Sequence, residues 1–194
     1  MRIWRASTLA AAGVVLAGCQ VIADAPAGPL SVGTARVSLG REWANINGIT
    51  PQRPTNVTLL TIDGPQLDKL YISDGLKPGE GIVTGADKDK PAPILKAGLS
   101  NAERVEFIAS SVSAMGLLKV EARKPRPATY AGHPGVRMDI SASTQNGLDI
   151  SGTALIAEVG DKTYVILYLA PSEHYFDANL AEVEQVMASA AIGS

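Results

Sequence analysis

The chain has 194 residues, 46% hydrophobic and 19% charged, which fits one folded domain with or without a targeting segment and excludes a disordered polymer. Its formal net charge of −2 falls to −4 once the first eighteen residues, with Arg2 and Arg5, are removed, so there is no basic footprint for nucleic acid and no polybasic surface for anionic lipid. One cysteine, Cys19, excludes an internal disulfide.

Met1 to Arg5 is a short basic segment, and Ala6 to Ala17 is an uncharged, alanine-rich apolar run. A spanning helix needs about 20 such residues, so the run has the length and flanks of a signal-peptide core instead. It ends in Leu16-Ala17-Gly18-Cys19, which resembles the lipobox of bacterial lipoproteins. That resemblance implies cleavage between Gly18 and Cys19, a diacylglyceryl group on the Cys19 sulfur and acylation of the new amino terminus. One acyl chain anchors only marginally, whereas two or three hold firmly. The residue after Cys19 is Gln20, not the aspartate that would resemble an inner-membrane retention signal. The expected address is therefore the outer membrane, facing the periplasm.

Residues 1–18 are thus expected to be a signal peptide, 19–33 a lipidated N-terminus and flexible tether, and 34–194 one globular domain. Val21 to Val32 holds small residues, Pro26, Pro29 and two glycines without an apolar period. Val37-Ser38-Leu39 leads to Trp43, and Val57–Ile62 and Gln66–Ser73 flank Asp63-Gly64 as two strands of an antiparallel hairpin. A second turn dipeptide, Asp74-Gly75, follows. Residues 77–93 read as a solvated loop, with Pro91 and Pro93 opposing a helix.

Ser100 and Glu103 form a capping box ahead of Val105, Ile108, Ala109, Val112 and Met115, the stripe of a helix that Gly116 stops. Phe107 falls outside that stripe and is a candidate partner surface. Leu118–Ala122 is a strand that Pro125 and Pro127 are expected to break. Val136, Met138, Ile140 and Ala142 alternate with Arg137, Asp139, Ser141 and Ser143, which predicts a half-buried strand. Asn146-Gly147 turns into Leu148–Val159, and Gly160-Asp161 turns into Thr163–Leu169, apolar on both faces and so central. After Pro171, Asp177 is the expected cap of a last helix carrying Leu180, Val183, Met187 and Ala190. The expectation is an α+β domain, an antiparallel sheet of five to eight strands with two helices packed on it.

The early hairpin TIDGPQLDKLYIS, the capped helix Ser100–Met115, the three-strand meander over 134–169 and the closing APSEHYF plus helix resemble the Mog1/PsbP-like fold over residues 34–192. That resemblance implies a protein that binds other macromolecules or acts as an accessory factor, and it carries no shared active site. The chain also resembles the small envelope lipoproteins of alphaproteobacteria, which implies an address and no activity.

No catalytic, cofactor or metal motif stands out. His133 and His174 lie in separate loops beside prolines, with no HExxH or H-x-H spacing. No G-x-S-x-G elbow occurs, the glycines of 75–85 lack the G-K-[ST] ending of a phosphate loop, and Asp87-Lys88-Asp89-Lys90 lacks the glycine and distal glutamate of a calcium loop. Asn56-Val57-Thr58 is a glycosylation sequon without meaning in a bacterium, and Tyr164 and Tyr168 share a strand face that reads as core. The functional expectation is a non-enzymatic, lipid-anchored accessory protein. It would need no cofactor, touch the membrane through its lipid, and bind a protein or other envelope component. The alternative is an envelope hydrolase or a small-ligand carrier with a pocket between helix and sheet.

Overall fold

The structure, a computed structural model, describes residues 22–50, 52–86 and 91–193. Its first strands lie where a tether was expected. Ala23–Ala25 (β1) pairs with Trp43–Asn45 (β4), and Gly28–Val32 (β2) pairs antiparallel with Ala35–Leu39 (β3). Ala25 and Val32 are buried. The tether over 19–33 is therefore corrected in its described part: the domain begins at Ala23, not Thr34. Pro29 obscured β2, yet β2 is the edge of its sheet, where a strand proline forfeits no ladder bond. β1 has no partner close in sequence that local patterning could reveal, since β4 lies about twenty residues on, whereas β2 turns straight back into β3 through Gly33 and Thr34.

Val57–Thr61 (β5) and Lys69–Ser73 (β6) form the expected hairpin, with Leu60 opposite Leu70. The helix Asn101–Ala114 (α1) has the expected cap: Ser100 Oγ accepts from the Glu103 amide, and Glu103 accepts back from the Ser100 amide at 2.8 Å. The Ser100 hydroxyl, donating to the exposed Glu103 carboxylate at 2.7 Å, and the Ser100 amide hold that carboxyl below its ordinary range. The buried face of α1 is Phe107, Ile108, Ser111 and Val112. Phe107 is only 6% exposed and packs in the core, which corrects its reading as a partner surface: two adjacent rows of the helix are covered, not one.

Leu118–Tyr130 (β7) runs straight through Pro125 and Pro127, where a break was expected. It is the outer strand of the large sheet, and its register shifts between Leu118 and Glu121 and between Arg123 and Arg126. An edge position leaves the prolines without a ladder bond to donate, and the irregularities accommodate them. His133–Ser143 (β8), Asp149–Val159 (β9) and Lys162–Pro171 (β10) complete a meander, with Ala131 and Gly132 at φ 50° and 80° in the first tight turn. The last helix, Tyr175–Ala188 (α2), is entered from His174 at φ 69°, and a short Ala191–Ile192 (β11) returns to β3. Asp177 lies inside the first turn of α2, favourable to the helix dipole, and does not cap it.

The large sheet is antiparallel, in the order β1-β4-β5-β6-β10-β9-β8-β7, and β11-β3-β2 form a smaller one. Alternate residues of β10 feed two cores, as a pleated strand requires. Val165, Leu167 and Leu169 pack with α1 on one side. Tyr164, Ile166 and Tyr168 pack with α2 and the small sheet on the other. Trp43 of β4, its indole donating to Glu182 of α2 at 3.2 Å, ties the large sheet to the helix. At about 1.5–3 kcal/mol for each large aliphatic side chain buried, these two layers are the main stabilising term.

Candidate functional site

Beyond α2, the outer strands β7, β8 and β9 keep an uncovered polar strip. Directly opposed residues share a face, so Glu121, Arg123 and Arg126 join Ser141, Asp139 and Arg137 on the α2 side. The irregularity at Lys124-Pro125 makes this possible, because it lets Arg123 and Arg126, three apart, point the same way. Arg137 lies at the centre, its side chain 18% exposed, donating to Glu184 of α2 at 3.1 Å and to Thr153 Oγ1 at 3.3 Å. Arg126 donates to Asp139 at 2.9 Å.

Two adjoining basins make up this trough. One, of about 300 Å³, lies between the arginines and Phe176 and Leu180 of α2; the other, of about 470 Å³, is lined by Ser141, Ser143, Ser151 and Ser172. The Ser151 and Ser172 hydroxyls are 2.8 Å apart. Guanidinium forks and hydroxyls suit carboxylates, amides and sugars, and exposed ion pairs of this kind are worth only about 0–1 kcal/mol, so a partner can exchange them.

A different cleft, of about 220 Å³, opens at the end of α1 between helix and sheet. Tyr71, Met115, Leu117, Ile150 and Leu169 supply its apolar lining, and the 65–69 segment one wall. Asp68, 2% exposed, fixes that wall: its carboxylate accepts from Thr61 Oγ1 at 2.6 Å and from the Ile62 and Asp63 amides at 3.1 and 2.8 Å. Burial pushes the Asp68 carboxyl above its ordinary range, and those hydrogen bonds pull the other way. Burial pushes the Lys69 ammonium down, opposed by the Asp68 charge. The buried Tyr71 hydroxyl is pushed up to about 12 and stays protonated.

Cys19 and the Gly18–Cys19 cleavage point lie outside the described residues, as do Asp87 to Lys90. His133 starts β8 at an exposed hairpin, and exposed His174 stacks edge-on against Tyr175 at 5.2 Å; neither hydrogen-bonds a serine or carboxylate among the described residues. Tyr164 and Tyr168 are core residues, and Asn56, just before β5, donates to Glu80 of the 77–93 segment at 2.7 Å. No group of three metal-ligating side chains occurs among the described residues, and no helix among them is long and apolar enough to cross a membrane. Sequence reading missed Lys69 and the trough arginines. Their signal was a charged residue at the first position of an apolar strand, and arginines spaced across a proline break.

A sheet order with its two ends at β1 and β7, one helix on each side, has solved counterparts. The cyanobacterial PsbP protein of Synechocystis sp. PCC 6803 superposes with a TM-score of 0.52 at 10% identity, covering 95% of this chain and 98% of its own. The chain has the Mog1/PsbP-like fold. The Ran-binding protein Mog1p of Saccharomyces cerevisiae matches with a TM-score of 0.51 at 10% identity, over 89% of this chain and 95% of its own. At such identities the Mog1/PsbP-like likeness is one of fold alone. No protein-family model matches the chain, and no curated protein does.

Proposed function

We propose that this protein is a lipid-anchored accessory protein of the bacterial envelope, held at the outer membrane by lipid on Cys19 and binding a periplasmic protein or envelope component without catalysing a reaction. The supporting observation is that the trough lies at the far end of the sheet from β1, the described strand nearest Cys19 in sequence. Ala23 already belongs to β1, four residues after Cys19, so the chain between them spans at most about 14 Å even when fully extended. A lipid on Cys19 therefore holds the β1 edge beside the bilayer. The trough lies on β7 to β9 at the other end of an eight-stranded sheet. At about 4.8 Å per strand step the two edges are roughly 34 Å apart. Such a domain presents its polar strip away from the lipid, where a partner can reach it.

The test is cross-linking in intact cells followed by purification of the full chain from solubilised envelope. Reversing Arg123 and Arg126 to glutamate removes two partly exposed charges of the trough; reversing Lys96, across the fold beside α1, is the control. A partner captured by wild type and by Lys96→Glu, and lost from Arg123→Glu/Arg126→Glu, supports the reading. The same partners recovered from all three chains would overturn the trough as the docking face.

A further inference from the structure

We propose that the cleft at the end of α1 is a binding site for a small apolar carboxylate, a single ring or a short acyl chain, whose head group rests on the Lys69 ammonium. The inference is independent of the lipid anchor and of the trough. Size is the first argument. An apolar cavity of about 150 Å³ holds one benzene ring, and this cleft offers about 220 Å³ with Tyr71, Met115, Ile150 and Leu169 as lining. That is below the roughly 300 Å³ at which drug-sized sites begin, so the fitting ligand is fragment-sized.

Charge is the second argument. Lys69 stands two residues before Tyr71 on one strand, directly opposite Leu169, so its stem lies on the face that lines the cleft. It forms no salt bridge among the described residues. The neighbouring Asp68 carboxylate is committed to Thr61, Ile62 and Asp63. A half-buried cation without an ion-pair partner, over an apolar floor, is complementary to one negative charge on an apolar body. No second cation lines the cleft among the described residues, which favours a carboxylate over a doubly charged phosphate.

The Tyr71 hydroxyl is a further donor there, since its hydrogen points to the weak acceptor Met115 Sδ at 3.8 Å.

The experiment titrates the full chain, carrying 13C-methyl methionine, with benzoate and hexanoate, using benzamide as the uncharged counterpart. Saturable movement of the Met115 signal is expected, while Met187 in the opposite core stays still. A hydrogen bond to a charged group is worth about 1.5–3 kcal/mol, so Lys69→Met should weaken benzoate about tenfold or more, and benzamide should bind wild type about that much more weakly. Leu117→Trp, which fills the cleft from its half-buried wall, should abolish the Met115 response with the circular dichroism spectrum unchanged. A silent Met115, equal binding of benzoate and benzamide, or benzoate affinity unaffected by Lys69→Met would each overturn the proposal.

Discussion

Replacing Asp68 by alanine should destabilise the fold far more than removal of an ordinary surface charge. The carboxylate takes one hydroxyl and two amide hydrogens, from Thr61 Oγ1 at 2.6 Å, Ile62 N at 3.1 Å and Asp63 N at 2.8 Å. Alanine leaves all three donors without a partner, and Thr61 is as buried as Asp68. Each orphaned donor costs about 1 kcal/mol at the low end, and the relieved burial of a carboxylate offsets part of the sum, so the net loss should be about 2–3 kcal/mol. In a domain of this size that lowers Tm by about 4–12 °C. Asp68→Asn retains an oxygen for the Oδ1 position, which serves all three donors, and should lose about 1 kcal/mol.

The same pair of variants carries a pH signature. The folded-state Asp68 carboxyl is raised, so the native protein holds this proton more tightly than the unfolded chain does. Its contribution is full at low pH and declines as pH rises from the ordinary carboxylate value through the raised one. Asparagine does not titrate, so its deficit relative to wild type should shrink as pH rises across that window. Urea unfolding at several pH values measures both effects. A cost below about 1 kcal/mol for alanine, or an asparagine deficit that widens with pH, would mean that the Asp68 carboxyl does not hold these donors in the folded chain.

Phe107→Ala should cost about 3–4 kcal/mol in the same assay, the penalty of a core aromatic; a cost within about 0.5 kcal/mol would mean that the ring faces solvent. Gly33 has φ 55°, and a methyl group there would overlap the Asp74 carboxylate, whereas Gly160 at φ 64° faces open space. Gly33→Ala should therefore lose more than about 2 kcal/mol and Gly160→Ala about 1 kcal/mol, and equal thermal shifts would deny that residues 28–34 are clasped to the β6 end. The Tyr130 hydroxyl is buried without a hydrogen-bond partner among the described residues, so Tyr130→Phe should be neutral or stabilising by up to about 1 kcal/mol. Destabilisation by more than about 1 kcal/mol in a thermal melt would reveal a bond that the hydroxyl makes.

Elements whose stability is written locally were legible. The capping box at Ser100 and Glu103, the alternation from Val136 to Ala142 and the doubly apolar β10 each declare their geometry within one window of sequence. Elements that depend on a distant partner were not. Strand β1 is held by β4, β2 was hidden by Pro29 although its partner β3 is adjacent, and β7 survives two prolines because it is the outer strand of the sheet among the described residues. Sites follow the same rule. Arg126 and Arg137 meet through strand register and an irregularity, and Lys69 and Met115 come to line one cleft only once α1 lies on the sheet. The Leu16-Ala17-Gly18-Cys19 segment that resembles a lipobox is a local pattern outside the described residues, which the fold does not test.

The most direct test of the account is the intact mass of the mature protein taken from membranes, with fragment spectra of its first residue. The mature chain should begin at Cys19 with diacylglyceryl on its sulfur and an acyl group on its amine, and a Cys19→Ser protein should leave the membrane fraction. An unmodified thiol at position 19, cleavage elsewhere, or a wild-type chain recovered with soluble proteins would contradict it.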